Sequence, residues 1–300
     1  MTATAFFLIL ASVVMHASWH FINKTGRPTY PYFCVFSFAL FLTMLPLLLL
    51  SGIKVWLLPP QVLLFVAAGG FFGMLGDVGL SWAYRTTDMS VSYPLARALP
   101  VLMTMLITAV FSLGKPLNAA AVAGMTVIFA GCVMTGWSNG SKKMFSSMSG
   151  KGFAGIFLAA LATTGYTITD SYGIRGMTEA CKDIHPLLRA GSYSCMREFI
   201  ALAFLLLITL PRKTMRKKFD RSLLLSWHPY AAGAIAAIAY VLVLISMDHV
   251  TNVSFVQAFR QMSLPVGAIM GFVILKERPS LLRIAGLSII LAGLLISALL

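Results

Sequence analysis

Two arginines stand inside apolar helical patterns, Arg97 in VSYPLARALP and Arg260 in FVQAFRQMSLP. A guanidinium at the centre of a bilayer costs about 2.5 to 3.5 kcal/mol on insertion scales, so each must face a cavity, an acid or a ligand. Its planar fork of donors suits a carboxylate, which leaves two readings for Arg97: a structural ion pair, or a binding group for an anionic part of a substrate. Tyr93, Arg97, Pro100 and Thr104 fall at i, i+4, i+7 and i+11, one stripe of a helix. Gln257, Arg260 and Gln261 share one side of the later segment. Asp170 in ATTGYTITDSYGIR, with Thr163, Tyr166 and Thr167 on its face, is the expected acid for Arg97 and a place where a coupling proton can bind. Asp77 in GDVGLSWAY is a second acid, readable as a helix-to-helix hydrogen bond, and Arg197-Glu198 reads as an internal pair near a helix entrance.

Near the start, Ser12, His16, His20 and Asn23 lie at i, i+4, i+8 and i+11 with Trp19 beside them, giving that helix one aromatic and hydrogen-bonding face. Inside a membrane such a face must meet protein or a water-filled cavity, so these groups either tie helices together or line a substrate path. The HxxxH spacing is not read as a metal site, because the other three histidines, His185, His228 and His249, are scattered. Cys34, Cys132, Cys181 and Cys195 show no ligand or redox spacing and read as small core residues. No nucleophile with a placed base is visible and no cofactor is expected.

The elements that hold these residues follow from hydropathy. With 59% hydrophobic and 11% charged residues among 300, and a mean hydropathy of +0.87, the chain cannot present the surface of a soluble domain. Crossing about 30 Å of hydrocarbon takes roughly 20 helical residues. Ten such stretches are predicted, at 3–22, 32–51, 61–84, 89–112, 118–137, 152–174, 189–210, 229–247, 252–274 and 281–299. The first lacks a basic approach and is read as a span rather than a signal peptide. The string AAGGFFGMLGD follows no strand and reads as helix packing, not as a nucleotide loop.

Orientation comes from Lys and Arg alone. Fourteen lie in connections after odd-numbered spans, including the six of RKTMRKKFDR, and five lie on the other side: Lys54, Lys115, Arg175, Lys182 and Arg189. Odd connections are therefore expected in the cytoplasm and both termini outside. The net charge of +14 is accounted for by loops at anionic headgroups, without nucleic acid.

The two arginine segments superpose. Arg97 matches Arg260, Lys115-Pro116 matches Arg278-Pro279, and Gly124 and Gly131 match Gly286 and Gly293, at offsets of 163 and 162 residues. Five spans per half, an odd number, force the second copy to be inverted, with repeats at 1–145 and 146–300. Inverted repeats meeting at a midplane site are an architecture of secondary transporters.

At SYPLAR with its SLGKPL turn, YTITDSYGIR, and FVQAFRQMSLPVGAIMGFVILKERP, the sequence resembles the EamA family of the drug/metabolite transporter superfamily, over nearly the whole chain. The resemblance implies an all-α bundle of ten helices around a central cavity and transport by alternating access. One departure is Lys115, where the family commonly has Glu; Glu277 keeps the acid in the second half. The expected function is a multi-pass carrier of the bacterial inner membrane, exporting small metabolites such as amino acids, with a proton as candidate coupling ion. Its expected substrate contacts are His16, Trp19, His20, Asn23, Tyr93, Arg97, Tyr166, Asp170, Gln257, Arg260 and Gln261. A membrane-embedded enzyme for lipid or isoprenoid substrates is the alternative, against which stand the missing aspartate-rich motif and histidine boxes. The substrate, the direction of transport and the oligomeric state are not encoded in any motif of the chain.

Overall fold

The structure is a computed structural model that describes residues 2–26, 29–87, 89–137, 150–274 and 280–298; the side chains of 24, 25, 89–91, 93, 137, 271, 272 and 274 lie outside the description. The described residues are helical, with no strand. The long helices are α1 (Ala3–Thr25), α2 (Tyr30–Ser51), α3 (Pro60–Thr86), α4 (Met89–Val110), α5 (Ala119–Trp137), α6 (Gly150–Ala180), α7 (Pro186–Thr209) and α8 (Trp227–Met247). They are followed by a short α9 (Ser254–Phe259), a 3-10 turn (Arg260–Met262), α10 (Ser263–Ile274) and α11 (Leu281–Ala298). Eight of these helices are long and apolar enough to cross a membrane, α4 contributing a shorter apolar stretch, Pro94–Val110.

Caps and prolines explain the starts. Thr2 and Thr29 accept hydrogen bonds from the amides of Ala5 and Tyr32, and Pro31, Pro60 and Pro186 occupy first-turn positions where no amide hydrogen is needed. α2 ends at Gly52, whose φ of +67° favours a residue without Cβ.

The expected continuous span over 252–274 is instead broken at Arg260–Met262. Pro265 favours the break: it has no amide for the carbonyl of Gln261, and its ring crowds that carbonyl, although α2 and α4 carry Pro46 and Pro100 without losing regular helix.

Packing rests on small residues. α3 lies on α6, where a Cβ on Gly79 would come within 2.6 Å of the Ala159 amide and one on Gly155 within 2.7 Å of the Ala83 amide. α5 lies on α11 just as closely: a Cβ on Gly131 would meet the Gly286 carbonyl at 2.8 Å, and one on Gly293 the Gly124 carbonyl at 2.7 Å. Close backbone approach replaces the hydrophobic drive that lipid cannot provide. α1 packs on α8, α2 on α7 and α8, and α3 on α7.

At one end of the bundle the connection 248–253 gathers several elements. Thr2 donates its hydroxyl to the His249 carbonyl, Arg175 donates to the Val250 carbonyl, and the Lys115 amide donates to the Thr251 carbonyl. Asn252 donates back to the Lys115 carbonyl at 3.0 Å. Asp248 accepts from Thr178 at 2.7 Å with Arg189 at 3.9 Å. Gly114, at φ +84°, lets the α4–α5 turn approach this connection.

Candidate functional site

Charged side chains meet in two adjoining clusters within the bundle. The first joins α6, α7 and α8. Asp170, 0% exposed, is held by Arg197 through Nε at 2.9 Å, by the Tyr193 hydroxyl at 2.9 Å and by the Tyr240 hydroxyl at 2.5 Å. Arg197 also pairs with Glu198, whose other oxygen accepts from Ser37 on α2. Glycines on α3 make the room: a Cβ on Gly73 would lie 3.1 Å from Arg197 Nη2, and one on Gly70 2.7 Å from the Arg197 carbonyl. One guanidinium thus serves two carboxylates, and two phenols complete the shell of Asp170.

The second cluster joins α1, α4 and the broken helix. Arg97 donates from Nη2 to the Arg260 carbonyl at 2.9 Å and to the Ser263 hydroxyl at 2.8 Å. The carbonyl belongs to the turn at the break and the hydroxyl to the first residue of α10, so a cation from α4 ties down both sides of the break. Arg260, 2% exposed, approaches His16 Nε2 with Nη2 at 3.2 Å. A guanidinium only donates, so Nε2 is the acceptor and the His16 proton sits on Nδ1. Among the described residues Arg260 has no carboxylate partner, and its Nε and Nη1 have no hydrogen-bond acceptor. Trp19 is edge-on to His16, with ring centroids 5.2 Å apart, and stacks on His20 at 3.5 Å.

Tyr240 connects the clusters. Its ring lies 4.8 Å from the guanidinium carbon of Arg197 and 5.8 Å from that of Arg260, while Tyr166 meets it edge-on and also lies under Arg197 at 5.0 Å. Cation–π contacts of this kind gain most where water is absent.

Several sequence expectations change. Asp170 pairs with Arg197, not with Arg97: the side chains that reach its carboxylate come from α7 and α8, not from α4. Arg197 and Glu198 stand deep in α7, not at a helix entrance. Asn23 accepts from the Tyr32 hydroxyl at 2.7 Å, which makes it a tie between α1 and α2. Gln257 accepts from Thr167 at 3.4 Å and through its carbonyl from Gln261 at 3.0 Å, both glutamines being buried beside Arg260. Tyr93 belongs to α4, and its side chain lies outside the described residues. Tyr193, Tyr240 and Ser263 were not foreseen. Tyr193 stands four residues before Arg197, a spacing that puts both on one face of α7, whereas Tyr240 is a lone phenol in an apolar run.

A separate cavity of about 410 Å³ between α2, α3 and α7 is lined by apolar side chains such as Phe41, Leu63, Met196 and Phe199. It offers no convergent polar groups that would orient a small metabolite, so the arginine clusters are the stronger candidate.

No family model matches the chain, and no curated protein matches it in sequence. A crystal structure superposes on it with a TM-score of 0.72, covering 100% of this chain and 98% of the other at 14% identity. At that identity the likeness shows the fold alone.

Proposed function

We propose that this chain is a secondary carrier of the EamA type in a bacterial inner membrane, exporting small metabolites that present a carboxylate by alternating access at the Arg97–Arg260 centre. The observation that carries the reading is Arg260, buried deep in a membrane bundle with two donors unfilled among the described residues. Leaving such donors empty is costly, and a ligand carboxylate matches their geometry.

The same reading takes the fold as ten crossings in two inverted five-helix repeats, 1–145 and 146–300. It is supported by how the helix pairs map onto one another when the halves are exchanged. α3 on α6 becomes α8 on α1, and α3 on α7 becomes α8 on α2. The pairs α2–α7 and α5–α11 map onto themselves, and Gly124 against Gly293 becomes Gly286 against Gly131. Asp170 and Glu198, sharing one arginine, are the candidate groups for a coupling proton.

The test is counterflow in proteoliposomes preloaded with unlabelled small carboxylates. Saturable exchange of labelled carboxylate that Arg260→Ala abolishes, in a variant that still inserts, supports a carrier. Its absence across a broad carboxylate panel removes the reading.

A further inference from the structure

We infer that the Arg97–Arg260 centre selects organic anions that carry no ammonium group and discriminates against zwitterionic amino acids. The inference rests on the carrier reading above and narrows its substrate class.

The chain has nine acidic residues. Asp88 and Glu277 lie outside the described residues, and Glu179, Asp183, Asp220 and Asp248 stand at helix ends or connections. Among the described residues only Asp77, Asp170 and Glu198 then remain within the bundle to receive a substrate ammonium. Asp170 is filled by Arg197, Tyr193 and Tyr240, and Glu198 by Arg197 and Ser37. Asp77 is on α3, and its charged neighbours are Glu198 and Arg197 rather than Arg97 or Arg260. An ammonium can also rest on an aromatic face, but the Tyr166 ring already has the Arg197 guanidinium over it, and the Tyr240 ring has those of Arg197 and Arg260.

The open polar atoms around Arg260 have the opposite bias. Arg260 Nε and Nη1, Trp19 Nε1 and Gln257 Nε2 are donors without acceptors among the described residues, and His16 Nδ1 becomes another by the tautomer its Nε2 contact requires. Gln261 Oε1 is an open acceptor beside them, and it is a neutral amide; the unfilled hydroxyl of Thr104 on the Arg97 face is neutral too. A carboxylate therefore meets two buried cations and a set of unfilled donors. An α-ammonium beside that carboxylate would meet repulsion from the same cations and would lose its water without a charged partner.

Titration of the purified full-length chain in nanodiscs with matched sets tests this: propanoate, alanine and ethylamine; 4-methylpentanoate, leucine and isopentylamine; 3-phenylpropanoate, phenylalanine and phenethylamine. Within each set the side chain is constant and only the charged groups change. The acid is expected to bind at least ten-fold more tightly than its amino acid in every set that binds, the amine not to bind, and Arg260→Gln to lose acid binding while remaining monodisperse. An amino acid that binds as well as its acid overturns the inference and leaves the carboxylate-carrier reading standing. Failure of every acid and every amino acid to bind overturns both.

Discussion

Arg97 donates from Nη2 to the main-chain carbonyl of Arg260 at 2.9 Å, so one buried cation fixes the backbone that presents the other. In Arg97→Lys, a compact ammonium replaces the planar fork that reaches both this carbonyl and Ser263. Substrate affinity should fall about ten- to hundred-fold, as expected for losing a charge-assisted bond of about 1.5 to 3 kcal/mol. Titration of the folded variant checks it, and unchanged affinity would reduce Arg97 to a strut.

Arg197→Met leaves two buried carboxylates without their shared cation, and breaking a buried pair in this way costs about 3 to 5 kcal/mol. Adding Asp170→Asn should recover part of the lost thermal stability. Alone, Asp170→Asn should lower gradient-driven transport more than substrate exchange, because the amide keeps the shape but carries no proton. Equal loss of both would assign Asp170 to binding or folding.

Gly131→Ala should be more destabilising than Gly52→Ala. The first forces a methyl to within 2.8 Å of the Gly286 carbonyl, in a seam where both backbones would have to part. The second meets open space and carries only the cost of a left-handed residue, about 1 kcal/mol. Thermal unfolding in detergent followed by size-exclusion fluorescence ranks the two.

The basic run should be cytoplasmic. In a chain with its four cysteines replaced, Lys217→Cys is expected to be protected from an impermeant thiol reagent in intact cells, and Lys54→Cys to be labelled. The reverse pattern would invert the orientation.

Burial pushes the Asp248 carboxyl above its ordinary pKa, while the Thr178 hydroxyl and Arg189 act in the opposite direction. The folded state then holds this proton more tightly than the unfolded state. Stability from this group is present at low pH and declines as pH rises from the usual carboxylate range through the raised value. Asp248→Asn should flatten that decline, because the amide never ionises and can still accept from Thr178. Unfolding midpoints measured from pH 4 to 8 report it; an unchanged slope would remove Asp248 as its source.

Much of this arrangement was legible in residue order. The matching of Arg97 with Arg260 put both in one cluster and the glycine string of α3 read as packing, whereas the break before Pro265 was not foreseen, because hydropathy runs unbroken through it. The partner of Asp170 was not legible: periodicity says which face a residue shares but not which helix lies opposite. Arg197 looked committed to the adjacent Glu198. Tyr240 gave no local pattern, and its place between two guanidiniums comes from the packing of α8 alone.

The connection 248–253 bonds to the start of α1, to the α4–α5 turn and to α6, and its acid is approached by α7. Separating any one of these at that end of the bundle strains the others, so they release together or not at all. Motion there should be a rare concerted event, on the microsecond-to-millisecond scale of collective transitions, rather than the continuous fluctuation of an ordinary loop. In the proposed carrier, the slowest step would then be set by six residues remote in sequence from the polar stripes of α1 and α4.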